Sequence, residues 1–191
     1  MPAPQTPAEM EAIMVKNLPE RYGKTLDQWI EVCAAAGLEK KMEFVQFLKQ
    51  EHGVKHGEAY VLTQIYFNGG KLVYGNPEAL LQEQYKKEEQ RELYDFLSLQ
   101  ITKSFTEPIK LGICKGYVSV LGHKQFAVIL PKRGGIWIGL ALGDEPTNEL
   151  LKTAKNIGGT DKINRYIAIE DEGDWSEQTA HYLEKAYRFN S

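Results

Sequence analysis

Residues 115–142 read KGYVSVLGHKQFAVILPKRGGIWIGLAL. Three short runs rich in β-branched and aromatic residues are separated by Gly-His at 122–123 and by Pro-Lys-Arg-Gly-Gly at 131–135. Such runs, bounded by turn-forming residues, are typical of strands joined by tight turns. The stretch therefore predicts three consecutive antiparallel strands, a meander, at residues 117–121, 125–130 and 136–142.

The third run indicates how its two faces are used. Large apolar side chains share one face of the predicted strand, at Ile136, Ile138, Leu140 and Leu142. The other face carries Trp137 beside the small residues Gly139 and Ala141, because side chains alternate along a strand. Small residues next to a large ring predict that a helix, a second subunit or a ligand packs closely over this face.

The regions on either side of the meander complete a predicted α+β fold. Further strands are predicted at 109–114 and 164–170, and helices at 88–105, at 145–156 and after a cap at Asp174. A preceding helix begins at Asn76-Pro77 and breaks near Lys87. We therefore predict an N-terminal helical domain over residues 1–75, followed over residues 76–191 by an antiparallel sheet of about five strands packed by helices.

Residues 1–75 show the start and stop signals of successive helices. Thr25 followed by Gln28 is the pattern of a capping box, and Gly37 suits the left-handed end of the same helix. We expect Pro19 to stop the first helix, because proline interrupts the helical hydrogen bonds. Helical spacing predicts the buried face of that first helix at Met10, Ile13, Met14 and Asn17.

The composition is that of a globular protein with a nearly balanced charge. The 191 residues are 42% hydrophobic and 26% charged with a net charge of −3, which argues against wholesale disorder and against a general attraction to nucleic acid or acidic membranes. Cys33 and Cys114 form no metal-binding pair, which predicts a reducing cytoplasm and neither a metal nor another cofactor. We expect no signal peptide and no membrane span.

Several segments of the N-terminal part resemble a known family. They are Gly-Lys-Thr-Leu-Asp-Gln-Trp at 23–29, Gly-Leu-Glu-Lys at 37–40, Phe-Leu-Lys-Gln-Glu-His-Gly at 47–53 and Lys-His-Gly at 55–57. Together they resemble a small helical domain of unknown function found in bacteria, which has glycine where this chain has Lys55. The resemblance covers about residues 15–68 and implies a helical fold without an established activity.

The C-terminal part resembles a second bacterial domain of unknown function. The segments that carry this resemblance are Tyr-Val-Ser-Val at 117–120, Lys-Gln-Phe-Ala-Val at 124–128, Ile-Gly-Leu-Ala-Leu at 138–142, Asn-Arg-Tyr-Ile-Ala-Ile at 164–169 and Leu-Glu-Lys-Ala-Tyr at 183–187. The two domains commonly occur together in this order. Similar C-terminal modules occur in proteins labelled transport-related or nuclease-associated, but the resemblance implies no activity for this chain.

Two short patterns do not fit the sites that they resemble. His52 and His56 have the spacing of a metal pair on one helix face, but Gly53 and Gly57 are expected to interrupt the helix. With no third ligand nearby, capping and turn roles are the better interpretation. Gly-Lys-Thr at 23–25 lacks the upstream glycine and the preceding strand of a phosphate loop, so we interpret it as a helix start.

The first functional hypothesis is a non-enzymatic binding or interaction protein. The candidate ligand contacts are Lys124, Trp137, Arg165, Tyr187 and His56. Lys124 and Arg165 lie near the starts of predicted strands, so a carboxylate or phosphate would bridge them if those strands are neighbours. Residues 144–191 hold ten acids and six bases. The alternative for both cations is therefore ion pairing with acids such as those at 170–171.

Two further functions stay open. Residues 103–135 contain six Lys or Arg and one acid, and the interleaved Tyr117, Phe126 and Trp137 would let this basic meander bind nucleic acid by stacking. The sequence pI of about 5.9 argues against it. The third hypothesis is an enzyme whose base is His56, His123 or His181. The ten tyrosines and three tryptophans also predict a homodimer if several prove to be exposed together.

Overall fold

The computed structural model describes residues 5–191, which form two compact units. The first, Pro7–Asn76, contains helices and is called the helical unit. The second, Pro77–Ser191 together with Gln5 and Thr6, contains the sheet and is called the sheet unit. No helix among the described residues combines the length and the apolar character that crossing a membrane requires.

The helical unit consists of α1 (Pro7–Tyr22), α2 (Leu26–Ala36), α3 (Lys41–Gln50) and α4 (His56–Phe67). The capping box predicted at the start of α2 is confirmed. Thr25 Oγ1 accepts the Gln28 N–H at 3.4 Å, and Gln28 Oε1 accepts the Thr25 N–H at 2.9 Å. Gly37 ends α2 with a φ of 62°, in the left-handed region that glycine adopts without strain.

The predicted stop of α1 at Pro19 is wrong. The helix continues to Tyr22 and ends at Gly23, whose φ is 71°. The last turn is held by its neighbours, because Arg21 forms an ion pair with Glu58 of α4 and the Tyr22 hydroxyl donates to the same carboxylate. These tertiary contacts outweigh the single helical hydrogen bond that proline removes.

The predicted buried face of α1 is also partly wrong. Met10 and Ile13 are exposed, because the side of α1 that faces the core carries Glu11 and Leu18. Leu18 joins a core formed by side chains from all four helices and the turn before α4. The other members are Trp29, Cys33, Phe44, Val45, Leu48, Val54, Ala59 and Leu62. This apolar cluster gives the helical unit a core of its own.

The sheet unit begins with two helices and ends with one. Its elements are α5 (Pro77–Gln84), α6 (Glu88–Lys103), β1 (Lys110–Ile113), β2 (Val118–Leu121), β3 (Gln125–Lys132), β4 (Gly135–Leu140), β5 (Lys152–Thr153), β6 (Arg165–Ile169), a 3-10 helix (Glu172–Asp174) and α7 (Glu177–Phe189). The strands lie in the order β1-β2-β3-β4-β6-β5, and every neighbouring pair is antiparallel. The predicted α+β class and the meander are confirmed; β5 adds a two-residue edge strand.

Helices and a loop cover opposite faces of this sheet. On one face, α6 and α7 pack over the large apolar side chains to form the main core of the unit. On the other face, segment 154–163 buries Ile157 and Ile163 against Val128. A Cβ on Gly139 would lie 2.7 Å from side-chain atoms of these three residues. The close packing predicted over this face is therefore provided by a loop of the chain itself.

The helix predicted at 145–156 is absent, and its residues form a loop that contains β5. Asn148 explains the difference, because its side-chain oxygen accepts the N–H groups of Leu150 at 2.9 Å and Leu151 at 2.8 Å. This local turn competes with helical hydrogen bonding. The predicted cap at Asp174 is also wrong: Ser176 caps α7.

Candidate functional site

The sheet does not bring Lys124 and Arg165 together. Lys124 is exposed in the turn before β3, whereas Arg165 begins β6, and β4 lies between those strands. The stated condition for a bridging anion, that the strands are neighbours, is therefore not met. The Arg165 guanidinium donates instead to the backbone carbonyls of Glu145 at 2.7 Å and Asn164 at 2.9 Å, and not to the carboxylates at 170–171.

Trp137 lies in a row of side chains on the loop-covered face of the sheet. The ring of Tyr166 stacks on the indole, with centroids 3.8 Å apart and planes 18° apart. The Lys132 ammonium lies 4.7 Å from the indole centroid. Because β3 and β6 flank β4, these two neighbours approach the indole from opposite sides. Both ring faces are therefore occupied, and the ring edge is the part left for a partner.

Tyr187 has a packing role at one end of the sheet. Its ring lies 5.1 Å from that of Phe105 and 5.3 Å from that of Phe126, measured between centroids. Its hydroxyl donates to the Glu107 carboxylate, and this hydrogen bond raises the pKa of Tyr187. The side chain thus joins α7 to the segment that follows α6.

His56 belongs to the helical unit and is exposed as the first residue of α4. The expectation that Gly57 interrupts the helix is wrong, because α4 begins one residue before it. His52 lies outside the helix, in the turn before Val54, so the two histidines do not share a helix face. Across residues 5–191, no group of three or more His, Cys, Asp or Glu side chains is arranged to hold a metal ion.

The N-terminal motif segments converge around Trp29, which is 1% exposed. The rings of His52 and Tyr22 meet the indole edge-on, with centroids 5.4 Å and 6.2 Å away. The Lys24 ammonium lies 5.5 Å from the indole centroid. The indole N–H has no acceptor in the described part of the chain. Segments 23–29 and 47–53 therefore meet in one aromatic cluster.

A cleft of about 590 Å³ opens in the sheet unit between the start of α6 and the hairpin of β3 and β4. The residues that line it are Gln84, Lys87, Glu89, Gln90, Leu93, Pro131, Lys132, Arg133, Gly134, Gly135 and Glu170. Small-molecule sites typically enclose about 300–1,000 Å³. None of these lining residues is among the five contacts predicted from the sequence, so the cleft is a new candidate site.

Gln90 fixes the strand side of the cleft. Its side-chain amide donates to the carbonyl of Lys132 at 2.9 Å and to that of Gly135 at 2.8 Å. These two carbonyls flank the turn at 133–134, where Gly134 has a φ of 89°. The turn is therefore held against α6 by two hydrogen bonds from one side chain.

The helix side of the cleft is fixed by Arg91. Its guanidinium forms two parallel hydrogen bonds with Glu78 of α5, at 2.9 Å and 3.2 Å, and bonds Asp95 at 3.1 Å. The Arg91 hydrogen bond lowers the pKa of Glu78. At the end of α5, the Gln84 amide donates to the Cys114 carbonyl at 2.7 Å. The side-chain oxygen of Gln84 is buried and has no hydrogen-bond donor in the described part of the chain.

Charges of both signs line the cleft. Lys87 and Arg133 are exposed cations, and Glu89 and Glu170 are exposed acids. Lys87 precedes α6, and no side chain caps this 16-residue helix. The first N–H groups of α6 therefore add partial positive charge to the end of the helix at which Lys87 and Glu89 line the cleft.

The residues that form both walls of the cleft can be identified in the sequence, but no sequence pattern shows that the two walls lie side by side. The turn at 131–135 and the helix break near Lys87 were each predicted as connections only. They come together because α6 packs against β4. The signal that was available is the charge of the two connections, Lys-Arg at 132–133 and the run at 86–92.

Two domain families match the chain in the order predicted from its motifs. A domain of unknown function, DUF4287, matches residues 11–67, and a second, DUF5655, matches residues 81–190. A search of curated proteins and a search of solved structures found no match. The second match spans more than half of the chain and includes the whole cleft. The chain therefore belongs to the DUF5655 family, and a DUF4287 domain precedes its DUF5655 domain.

Proposed function

We propose that the protein is a non-enzymatic binding module that holds a small polar ligand in the cleft of the sheet unit. The observation that carries this proposal is a cleft of about 590 Å³ whose two walls are held by the hydrogen bonds of Gln90 and Arg91. Walls that are fixed before the ligand arrives reduce the conformational entropy lost on binding.

The lining of the cleft favours binding over catalysis. Its described residues include no Ser, Cys or His that would serve as a nucleophile or as a histidine base. His123 is exposed in the turn before β3, His181 is exposed on α7, and His56 lies in the helical unit. The enzyme hypothesis therefore has less support than the binding hypothesis.

The nucleic-acid alternative depends on free aromatic faces in the meander. Phe126 is fully buried, and Trp137 has Tyr166 on one face and Lys132 on the other. Tyr117 packs against the apolar cluster beneath segment 154–163. Since these are the rings on which the alternative rests, we prefer a small ligand. A gel shift at low salt with single- and double-stranded probes tests this preference, and tight binding would reverse it.

A thermal-shift screen of the full chain against a library of polar metabolites tests the cleft. Glu89→Trp places a large side chain in the cleft, and Glu92→Trp places the same side chain on an exposed part of α6 outside it. A ligand that binds the folded state raises the melting temperature. We expect at least one compound to raise the melting temperature of the unsubstituted chain and of Glu92→Trp. The same compound should raise the melting temperature of Glu89→Trp much less.

Two results would contradict the proposal. One is a library in which no compound stabilises the natural chain. The other is a ligand that stabilises Glu89→Trp as well as the natural chain, which would place its site elsewhere. Circular dichroism of both variants confirms that each has kept its fold before the comparison is made.

Cellular location and oligomeric state form a separate part of the proposal. We expect a cytoplasmic protein, and the two free cysteines, one of them buried, are consistent with a reducing compartment.

A homodimer is supported by large apolar side chains that are exposed on the helical unit. They are Met10, Ile13, Met42, Tyr60 and Phe67. Cell fractionation tests the location, and light scattering after size exclusion tests the dimer.

A further inference from the structure

Five charged side chains line the cleft. The Lys132 ammonium lies over the Trp137 indole, and the other four do not pair with one another. Lys87 and Glu89 lie on its helix side, and Arg133 and Glu170 lie on its strand side. Within residues 5–191, none of the four forms an ion pair or a side-chain hydrogen bond. Elsewhere in the same unit charged side chains do pair, as in Arg91 with Glu78, Lys185 with Glu145 and Arg188 with Glu184.

Apart from Lys132, which lies over the Trp137 indole, each wall of the cleft therefore offers one cation and one anion to a ligand. On the helix side, Lys87 and the uncapped N–H groups of α6 favour an acidic group. On the strand side, Glu170 follows Ile169, which pairs with Ile136 at the start of β4. Its carboxylate lines the cleft and favours a cationic group.

We infer that the ligand of the cleft is a peptide-type zwitterion, a small molecule with an acidic group and an amino group. The inference rests on the proposed function and specifies its ligand class. Lys87 and the start of α6 bind the acidic group, and Glu170 binds the amino group. A purely anionic ligand leaves Glu89 and Glu170 facing like charge, whereas a zwitterion complements both signs. A volume of about 590 Å³ accommodates a peptide of a few residues.

Three tripeptides of matched size test the inference by calorimetry with the full chain at low salt. Trialanine carries both charges, N-acetyl-trialanine carries only the acid, and trialanine amide carries only the amine. We expect trialanine to bind about fivefold more tightly than either blocked form, since each exposed ion pair contributes up to about 1 kcal/mol.

Two variants assign the charges. We expect Lys87→Gln to weaken trialanine and N-acetyl-trialanine without changing trialanine amide. We expect Glu170→Gln to weaken trialanine and the amide without changing the acetylated peptide. Lys162→Gln and Asp161→Asn remove exposed charges outside the cleft and serve as controls that leave all three affinities unchanged.

The outcomes separate the inference from the proposed function. If the three peptides bind equally, or if none binds while a screened compound binds in a manner that Glu89→Trp blocks, the zwitterion inference is overturned and the binding function stands. If neither a peptide nor any screened compound binds, both are overturned. Tighter binding of trialanine, lost selectively in the two variants, supports both.

Discussion

Glu11 shows how one buried side chain fixes a connecting segment. Its carboxylate is 4% exposed and accepts the N–H groups of Val73 at 2.9 Å and Tyr74 at 2.8 Å. The chain after α4 is thereby attached to α1. Helical spacing predicted that the apolar Met10 and Ile13 face the core of the helical unit. A pattern of hydrophobic residues does not show that the buried position of α1 holds a carboxylate.

We expect Glu11→Ala to destabilise the helical unit by about 2 kcal/mol, because two N–H groups lose their acceptor and one of them is buried. Urea unfolding measures this loss. Hydrogen exchange should in addition show faster exchange at Val73 and Tyr74. Glu20→Ala, at an exposed position of the same helix, is the control and should change neither quantity. Equal stability of the two variants would show that Glu11 is not an anchor.

Tyr85 is a second residue whose surroundings predict an unusual result. It is 3% exposed, its ring stacks on Tyr94 with centroids 4.6 Å apart, and its hydroxyl has no hydrogen-bond partner in the described chain. We expect Tyr85→Phe to stabilise the sheet unit by about 1 kcal/mol, since it removes an unsatisfied buried group and keeps the ring. Thermal unfolding measures the change, and a loss of stability would indicate a bound water or ligand at the hydroxyl.

The same pair of rings makes stability depend on alkaline pH. Burial raises the pKa of Tyr85 far above its ordinary value of 10 and raises the pKa of Tyr94 to about 12. Between pH 10 and 12 the unfolded chain releases these protons while the folded chain keeps them, so stability is full below pH 10 and falls as pH rises. Urea midpoints should show this fall, and Tyr85→Phe should make it shallower. An unchanged slope would contradict the assignment.

At the scale of elements, the predictions succeeded where local signals and packing agreed. The capping box at Thr25 and the turns of the meander specify their own geometry, and both are present. Segment 145–156 failed because its apolar residues have helical spacing while Asn148 forms a local turn that the spacing does not show. Leu151 is still fully buried, but it reaches the core from a loop.

Gly139→Ala tests how closely segment 154–163 covers the sheet. The added methyl group would lie 2.7 Å from Ile157 and from Ile163, so the loop or the strand has to move. We expect a destabilisation of about 2 kcal/mol and faster hydrogen exchange in the loop.

The matched control for this substitution is Gly116→Ala. It adds the same methyl group beside the meander, where no atom other than those of the residue and its chain neighbours lies within 4 Å of the new Cβ. Gly116→Ala should therefore leave the urea midpoint almost unchanged. If the two alanine variants have the same stability, the loop does not pack on Gly139 as described.

At the scale of the whole molecule, the sequence predicted the fold class and the order of the parts but not the candidate site. Trp137 was identified as a binding residue because it stands beside small residues. Its covered faces depend on Lys132 and Tyr166, which other strands supply. The cleft likewise combines Lys87 and Arg133 from two connections that only the packing of α6 on the sheet brings together. Such distant combinations have no local signal in a single sequence.

The two units also predict where the chain can be divided. We propose that residues 1–75 and 76–191 are separate domains, and we expect each fragment to unfold cooperatively on its own, since each unit has its own core. A shorter fragment, 1–70, lacks the segment that Glu11 anchors, so it should be less stable than 1–75 by about 2 kcal/mol. Urea unfolding of the three fragments, followed by circular dichroism, measures both effects. A non-cooperative transition in 1–75 or 76–191 would contradict the proposed boundary, whereas equal stability of 1–70 and 1–75 would contradict only the anchoring role of Glu11.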